Sequence, residues 1–215
     1  AWETTYKQIE ARIVAPTFRD KCYKASVKQA NSARKNQKAI NSAIARCSKA
    51  GGGKVVIPKG KYMTGAITLL SGVNLVIDEG AELVFAFDRD LYPNVVTRWE
   101  GLDIINYQPC IYAYGQKNIG LTGKGIINGN GSNERWWYMK GNKHHGYHEG
   151  VDEWQGTDKI GTRAQLLKMA DNAVPVEKRV FGKGKGLRPQ LVNFVKCENA
   201  IIEGVELRDS PFWVI

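Results

Sequence analysis

Apolar and polar residues alternate along much of the chain, and a period of two is the spacing of side chains on a half-buried β-strand. The alternating runs are short and are separated by glycines. Short strands closed by glycine bends are therefore predicted between 55 and 131, and the alternation resumes at Leu191. The apolar positions of the first runs are Val55, Val56, Ile57, Ile67, Leu69, Val73, Leu75, Ile77, Leu83, Phe85 and Phe87.

One segment near the N-terminus has helical periodicity instead. Four apolar residues lie at positions i, i+3, i+4 and i+7 and form a single stripe. Three consecutive glycines, 51–53, follow directly and supply left-handed backbone on which a helix can end. We predict a helix over 32–50 that lies across the end of the strands and covers their core. The stripe consists of Ile40, Ala43, Ile44 and Cys47.

Three segments repeat one order of residues: an Asn, two inward-facing apolar positions, a Gly five or six residues on, and another strand. They begin at Asn74, Asn118 and Asn199. Such units must stack to bury their apolar faces, which predicts an all-β fold, a parallel β-helix (solenoid) with an N-terminal capping α-helix. We expect the Asn residues to occupy left-handed turns or to form ladders. A β-sandwich is disfavoured, because no Asn-Gly or Asp-Gly turn joins consecutive strands.

Residues 132–190 lack the period of two and are predicted to be a loop-rich insertion between coils, with a short helix near 163–170. Insertions of this kind commonly carry binding surface. Residues 1–215, with this insertion included, are predicted to be the N-terminal part of a single β-helix domain. Tryptophan is frequent in the chain, and its ring can either stack on a sugar or fill the core.

Positive charge is concentrated at one end of the chain. Residues 1–61 contain fourteen Lys or Arg and three acidic residues, a charge of +11, although the whole chain carries +10. The excess could attract a polyanion or could be the solvated face of the helix. Aromatic residues are not interleaved with this charge, and no apolar run reaches membrane-spanning length. We predict neither a nucleic-acid nor a membrane partner.

The histidines cluster in a glycine-rich stretch. Glycines disfavour the fixed geometry that a metal site needs, so we predict a polar loop, no metal and no cofactor. No paired Asp, Gly-His-Gly or nucleophile motif occurs, and no catalytic residue is predicted in this chain. The cluster consists of His144, His145 and His148, with Glu149, Asp152 and Glu153 close behind.

Several residue strings together resemble one family, the family-28 glycoside hydrolases or polygalacturonases, and the later strings resemble its exo-acting bacterial branch. The resemblance runs from about residue 36 to the end, whereas 22–36 depart from the family pattern. The strings are Ala45-Arg46-Cys47-Ser48-Lys49-Ala50-Gly51-Gly52-Gly53, Val73-Asn74-Leu75, Gly80-Ala81-Glu82-Leu83, Arg98-Trp99-Glu100-Gly101, Ile111-Tyr112-Ala113-Tyr114-Gly115, Thr122-Gly123-Lys124-Gly125, Trp136-Trp137, Leu187-Arg188-Pro189 and Ser210-Pro211-Phe212-Trp213.

The resemblance implies a right-handed parallel β-helix and an inverting hydrolase that removes galacturonic acid from pectin. The family's catalytic Asp motifs follow the Ser-Pro-Phe-Trp string and are absent here, so the chain is expected to be an N-terminal half truncated before the catalytic coils. The implied partner is an acidic, pectin-derived polysaccharide or oligosaccharide. The implied location is secreted or periplasmic, although Ala1-Trp2-Glu3 begins no readable leader.

Five residues combine the indole and cationic groups that an acidic sugar requires, and they are the predicted lining or support of the substrate pocket. The alternative is a non-catalytic β-helix module that binds acidic polysaccharide, which the missing Asp motifs would also fit. The five residues are Arg98, Trp99, Glu100, Arg188 and Trp213.

Overall fold

The computed structural model describes residues 2–148 and 153–215. Within these residues the α-helices are α1 (Trp2–Glu10), α2 (Ala33–Lys49) and α3 (Gly161–Asp171). The strands are β1 (Cys22–Lys24), β2 (Gly53–Ile57), β3 (Gly60–Thr64), β4 (Ile67–Thr68), β5 (Val73–Ile77), β6 (Ala81–Phe85), β7 (Asn94–Trp99), β8 (Leu102–Tyr107), β9 (Ile111–Tyr114), β10 (Lys117–Gly123), β11 (Ile126–Asn128), β12 (Val192–Val195), β13 (Glu198–Glu203) and β14 (Glu206–Arg208).

Most strands pair in parallel, each with a strand from the preceding or following pass of the chain. The first sheet has the order β1-β2-β5-β10-β13, the second β14-β11-β6-β3 and the third β12-β9-β4. Consecutive strands such as β5 and β6 therefore belong to different sheets, and each meets its own counterpart one pass later. This stacking confirms the predicted parallel arrangement and excludes an antiparallel sandwich.

A column of left-handed residues precedes the strands of the first sheet. Gly52 and Gly72 come directly before the paired residues of β2 and β5, with φ of 90° and 76°. Asn118 and Asn199 occupy the next two levels, with φ of 53° and 55°. The Asn199 amide Nδ2 donates to Asn118 Oδ1 over 2.6 Å. For these two Asn residues, both the left-handed turn and the ladder are confirmed.

The third predicted turn residue, Asn74, is different, and its assignment was wrong. Asn74 lies inside β5 and pairs with Gly120, two residues after the turn position. Its Oδ1 accepts a hydrogen bond from Thr122 Oγ1 at 3.1 Å. A Cβ on Gly120 would lie 2.6 Å from that Oδ1, so the missing side chain makes room for the amide. Glycine supplies the left-handed turn in the early coils, which shifted the apparent repeat by two residues.

Helix α2 packs on the apolar interior of the sheets. The predicted helix over 32–50 is confirmed with bounds Ala33–Lys49, and the stripe residues Ile40, Ala43, Ile44 and Cys47 are fully buried. The helix contacts β1 to β5. The short helix predicted near 163–170 is also confirmed, as α3 (Gly161–Asp171).

Helix α1, strand β1 and the hairpin of β7 and β8 were not predicted from the sequence. Helix α1 buries none of its residues, and β1 adds a strand beside β2. Strands β7 and β8 form an antiparallel hairpin. Its turn consists of Glu100 and Gly101, both left-handed, with φ of 46° and 88°. Two consecutive positive φ values define a type I′ turn, which Asn-Gly usually signals and Glu-Gly does not.

Among the described residues, none of the helices is both long enough and apolar enough to cross a bilayer.

The left-handed column predicts that Gly52→Ala is strongly destabilising. A Cβ there would lie 2.5 Å from the Gly72 carbonyl oxygen, in addition to the strain of positive φ. We expect the free energy of unfolding to fall by about 3 kcal/mol, measured by urea denaturation. Gly101→Ala is the control, since its φ is 88° but nothing lies within 4 Å of the new Cβ. That variant should lose only about 1 kcal/mol, and equal losses would contradict the stacking argument.

Candidate functional site

The candidate site is a cleft of about 410 Å³ between the loop-rich segment and the end of the chain. One wall consists of two 3₁₀ turns, Trp137–Lys140 and Lys143–His145, which follow β11. The other wall consists of the segment 210–213 after β14. The lining residues are Trp137, Lys140, Asn142, His145, Arg188, Ser210, Pro211, Phe212 and Trp213.

Arg188 is the buried cation of this cleft and is only 7% exposed. Its Nη1 donates to the Pro211 carbonyl oxygen over 2.9 Å, and its Nη2 donates to Gln155 Oε1 over 2.8 Å. Its Nε is buried and has no hydrogen-bond acceptor among the described residues. Two of the five N–H donors of the guanidinium are thus fixed, and its Nε–H is shielded from the cleft.

Burial also shifts the titration of this side chain. Loss of hydration lowers the pKa of Arg188 to about 10, although the negative charge of Glu100 acts in the opposite direction. The guanidinium still carries its positive charge at neutral pH. A cation with little competing water attracts a carboxylate more strongly than a surface lysine does.

The ring of Phe212 contacts both an aromatic ring and a cation. It stacks on Trp99 with ring centroids 4.8 Å apart and planes 2° from parallel. The guanidinium carbon of Arg188 lies 5.0 Å from the centroid of the same ring. Trp99 itself is 1% exposed, so it supports the cleft from beneath and contributes no surface to it.

Arg98 and Glu100 face a second hollow, of about 340 Å³, and do not line the main cleft. Glu100 forms an ion pair with Arg163 of α3. Arg98 lies near Asp103 of the same hairpin, with Nε 3.3 Å from Oδ1. Trp213 lines both hollows and is 57% exposed. The five predicted residues therefore lie in one neighbourhood: two in the main cleft, two in the adjoining hollow and one underneath.

The sequence reasoning did not select Trp137, Lys140 and His145 as lining residues. Trp137 donates its indole N–H to the Ser210 carbonyl oxygen over 2.8 Å, which ties the two walls together. The ring of His145 contacts Trp137 edge-on, with centroids 6.3 Å apart. The sequence feature that could have identified this wall is the pair of consecutive tryptophans. Trp136 is fully buried, whereas Trp137 lines the cleft.

The histidine cluster forms no metal site within 2–148 and 153–215, since no three His, Cys, Asp or Glu there converge. Glu149 and Asp152 lie outside the described residues. Glu153 points elsewhere: it pairs with Arg89, and its Oε1 accepts from the Gly184 amide over 2.7 Å. This buried carboxylate connects the loop-rich segment to the residues after β6.

We expect Arg188→Met to destabilise the fold, because Pro211 and Gln155 would each lose a buried donor. The free energy of unfolding should fall by about 2–4 kcal/mol, measured by urea denaturation. Arg98→Met is the matched control, as its side chain is 56% exposed; its loss should stay below about 1 kcal/mol. Equal losses for the two variants would show that the bonds of Arg188 contribute nothing special.

Comparison with known proteins gives a consistent result. No family model and no curated protein matches this chain. Among solved structures, a hyperthermoactive exopolygalacturonase from Thermotoga maritima is 35% identical, with a TM-score of 0.90 over 99% of this chain and 47% of the enzyme. The chain therefore spans about half the length of that relative.

Two further structures have the same fold at lower identity. A family-28 exopolygalacturonase from Yersinia enterocolitica is 21% identical, with a TM-score of 0.59 over 90% of this chain and 36% of that one. A polygalacturonase from Erwinia carotovora is 21% identical, with a TM-score of 0.54 over 93% and 45% of the two chains. The resemblance that the sequence predicted, to the family-28 glycoside hydrolases or polygalacturonases, is confirmed.

Proposed function

We propose that this chain is part of an exo-acting, inverting hydrolase that releases galacturonic acid from polygalacturonan or oligogalacturonides. The cleft is its pocket for the sugar at the chain end. The observation that carries the proposal is the pairing of exposed aromatic surface with a buried, positively charged Arg188 in a chain 35% identical to an exopolygalacturonase. An acidic sugar presents an apolar ring face and a carboxylate, which are the two groups that this surface would complement.

Each predicted residue has its own part in this proposal. Trp213, exposed at the junction of the two hollows, stacks on a sugar ring. Arg188, in the wall of the cleft, attracts the carboxylate by its positive charge. Trp99 fixes Phe212, and through it the wall that carries Trp213. Arg98 and Glu100 line the adjoining hollow and bind hydroxyl or carboxylate groups of the next sugar.

In an inverting mechanism one carboxylic acid protonates the glycosidic oxygen, while another carboxylate activates water on the opposite face of the sugar. The residues described here would bind and orient the substrate, and no catalytic residue is assigned to this chain. The catalytic Asp residues are proposed to lie on coils outside 1–215. Without them, the chain alone would bind the sugar and leave the bond intact.

A closed β-helix is proposed as the scaffold that positions the pocket. The three parallel sheets are the faces of a closed, right-handed β-helix, and α2 caps the end of its core. Residues 132–190 are an insertion between coils that forms one wall of the pocket, which favours action at chain ends. The hydrolase is secreted or periplasmic, where it meets pectin-derived polysaccharide.

The direct test is to incubate the complete polypeptide with oligogalacturonides of known length and follow the products by chromatography. Exo action releases galacturonic acid from the first time point, and the polymer shortens slowly. A mixture of intermediate lengths would contradict exo action. Binding without hydrolysis by the complete polypeptide would instead support a non-catalytic module for acidic polysaccharide.

Replacing the exposed indole of the cleft should weaken substrate binding selectively. In the complete polypeptide, we expect Trp213→Ala to raise KM for trigalacturonate about tenfold, since one stacked ring is worth about 1–2 kcal/mol. Trp2→Ala is the matched control, because Trp2 on α1 is 72% exposed and lies outside both hollows. Equal kinetic constants for the two variants would show that Trp213 does not contact the substrate.

A further inference from the structure

Part of the positive charge near the N-terminus forms a line of basic side chains on one side of α2. We use the name basic row for Lys35, Lys38, Arg46 and Lys49, all of which are exposed. At 3.6 residues per turn they fall within an arc of about 80°, and from Lys35 to Lys49 the row extends about 21 Å. The buried residues of the helix lie on its other side.

No local contact explains the basic row. Helix α2 contains no acidic residue, and its first turn has basic side chains where the helix dipole favours acids. Among the ion pairs of the described residues, none involves the four row residues. Like charges three residues apart repel each other on a helix. A surface that breaks local stability rules without local compensation indicates a functional constraint.

One more cation lies at the C-terminal end of the row. The Arg19 side chain donates to the carbonyl oxygen of Ala50, the residue that follows Lys49, over 2.6 Å. Arg19 is exposed, so positive charge continues past this end of the helix.

The basic row is separate from the cleft. Helix α2 packs on β1 to β5, whereas the cleft is lined by residues that follow β11 and β14. In the first sheet, β2 and β13 are three strand spacings apart, about 14 Å. A ligand on the row would therefore not occupy the cleft, although one long chain could reach both.

We propose that the basic row is a second binding surface for a long polyuronate, one that holds the polymer while its end lies in the cleft. A polyuronate carries one carboxylate on each sugar, and a line of separate cations complements that line of charge. Helix α2 has no aromatic residue on which a nucleobase could stack, which disfavours single-stranded nucleic acid. The identity of the ligand rests on the proposed function, whereas the existence of the surface does not.

The test compares two variants of the complete polypeptide with the same loss of four positive charges. The row variant is Lys35→Gln, Lys38→Gln, Arg46→Gln and Lys49→Gln, since Gln and Lys have similar helix propensities. The control variant is Lys124→Gln, Lys159→Gln, Lys168→Gln and Lys178→Gln, which changes exposed lysines elsewhere. Binding to de-esterified polygalacturonate is measured by affinity electrophoresis at several salt concentrations.

We expect the row variant to bind polygalacturonate about tenfold more weakly at low salt and with a shallower salt dependence, and the control variant to change less than about twofold. Highly methyl-esterified pectin, which lacks the charges, should not distinguish the variants. Equal weakening of binding in both variants would contradict the basic row as a binding surface, because net charge alone would then explain binding. Tighter binding of single-stranded RNA than of polygalacturonate would contradict the assignment of a polyuronate as the ligand. A polypeptide that shows the row effect and releases no galacturonic acid would contradict only the proposed hydrolysis.

Discussion

Parallel register between successive passes of the chain is the constraint on which the rest of the structure depends. From β2 onward the left-handed residues Gly52, Gly72, Asn118 and Asn199 lie above one another. Because side chains alternate between the two faces of a strand, a slip of one residue would turn every apolar side chain outward. The column marks the common register of β2, β5, β10 and β13.

The cleft depends on the same order, since its two walls come from parts of the chain more than sixty residues apart in sequence. The bond from Trp137 to Ser210 and the bonds from Arg188 to Pro211 and Gln155 join them. The bonds to Ser210 and Pro211 link a loop to the segment that follows β14, whereas the bond to Gln155 joins two parts of the loop-rich segment. The cleft walls are therefore tied both to the end of a strand and to each other.

Sequence patterns predicted the regular part of the molecule well. Period two, the stripe of α2 and the recurring Asn located the strands, the helix and two of the three turn residues. The patterns failed where a residue other than the usual one adopts left-handed backbone. Gly72 occupies the turn position expected for Asn74, and Glu100 occupies a turn position that Asn usually takes. Helix α1 was missed because periodicity detects a buried apolar face, and α1 buries none of its residues.

The site was only partly predictable for a related reason. Residue type selected Arg188 and Trp213, which both line the cleft, but it could not separate the buried Trp99 from the exposed Trp213. Lining residues such as Lys140 reach the cleft through irregular loops, and no period encodes the path of such a loop. Family resemblance located the neighbourhood, and side-chain packing assigned the positions within it.

Phe212, whose ring contacts Trp99 and Arg188, lies directly before a residue that is largely open to solvent. The carbonyl oxygens of Trp213 and Val214 accept hydrogen bonds from the amides of Leu191 and Val192, so the backbone is already aligned beside β12 at that point. One side chain is thus locked while its successor is free to vary on a fixed backbone. A substitution of Trp213 would change the surface of the cleft and leave the packed ring of Phe212 untouched, which separates changes in binding from changes in folding.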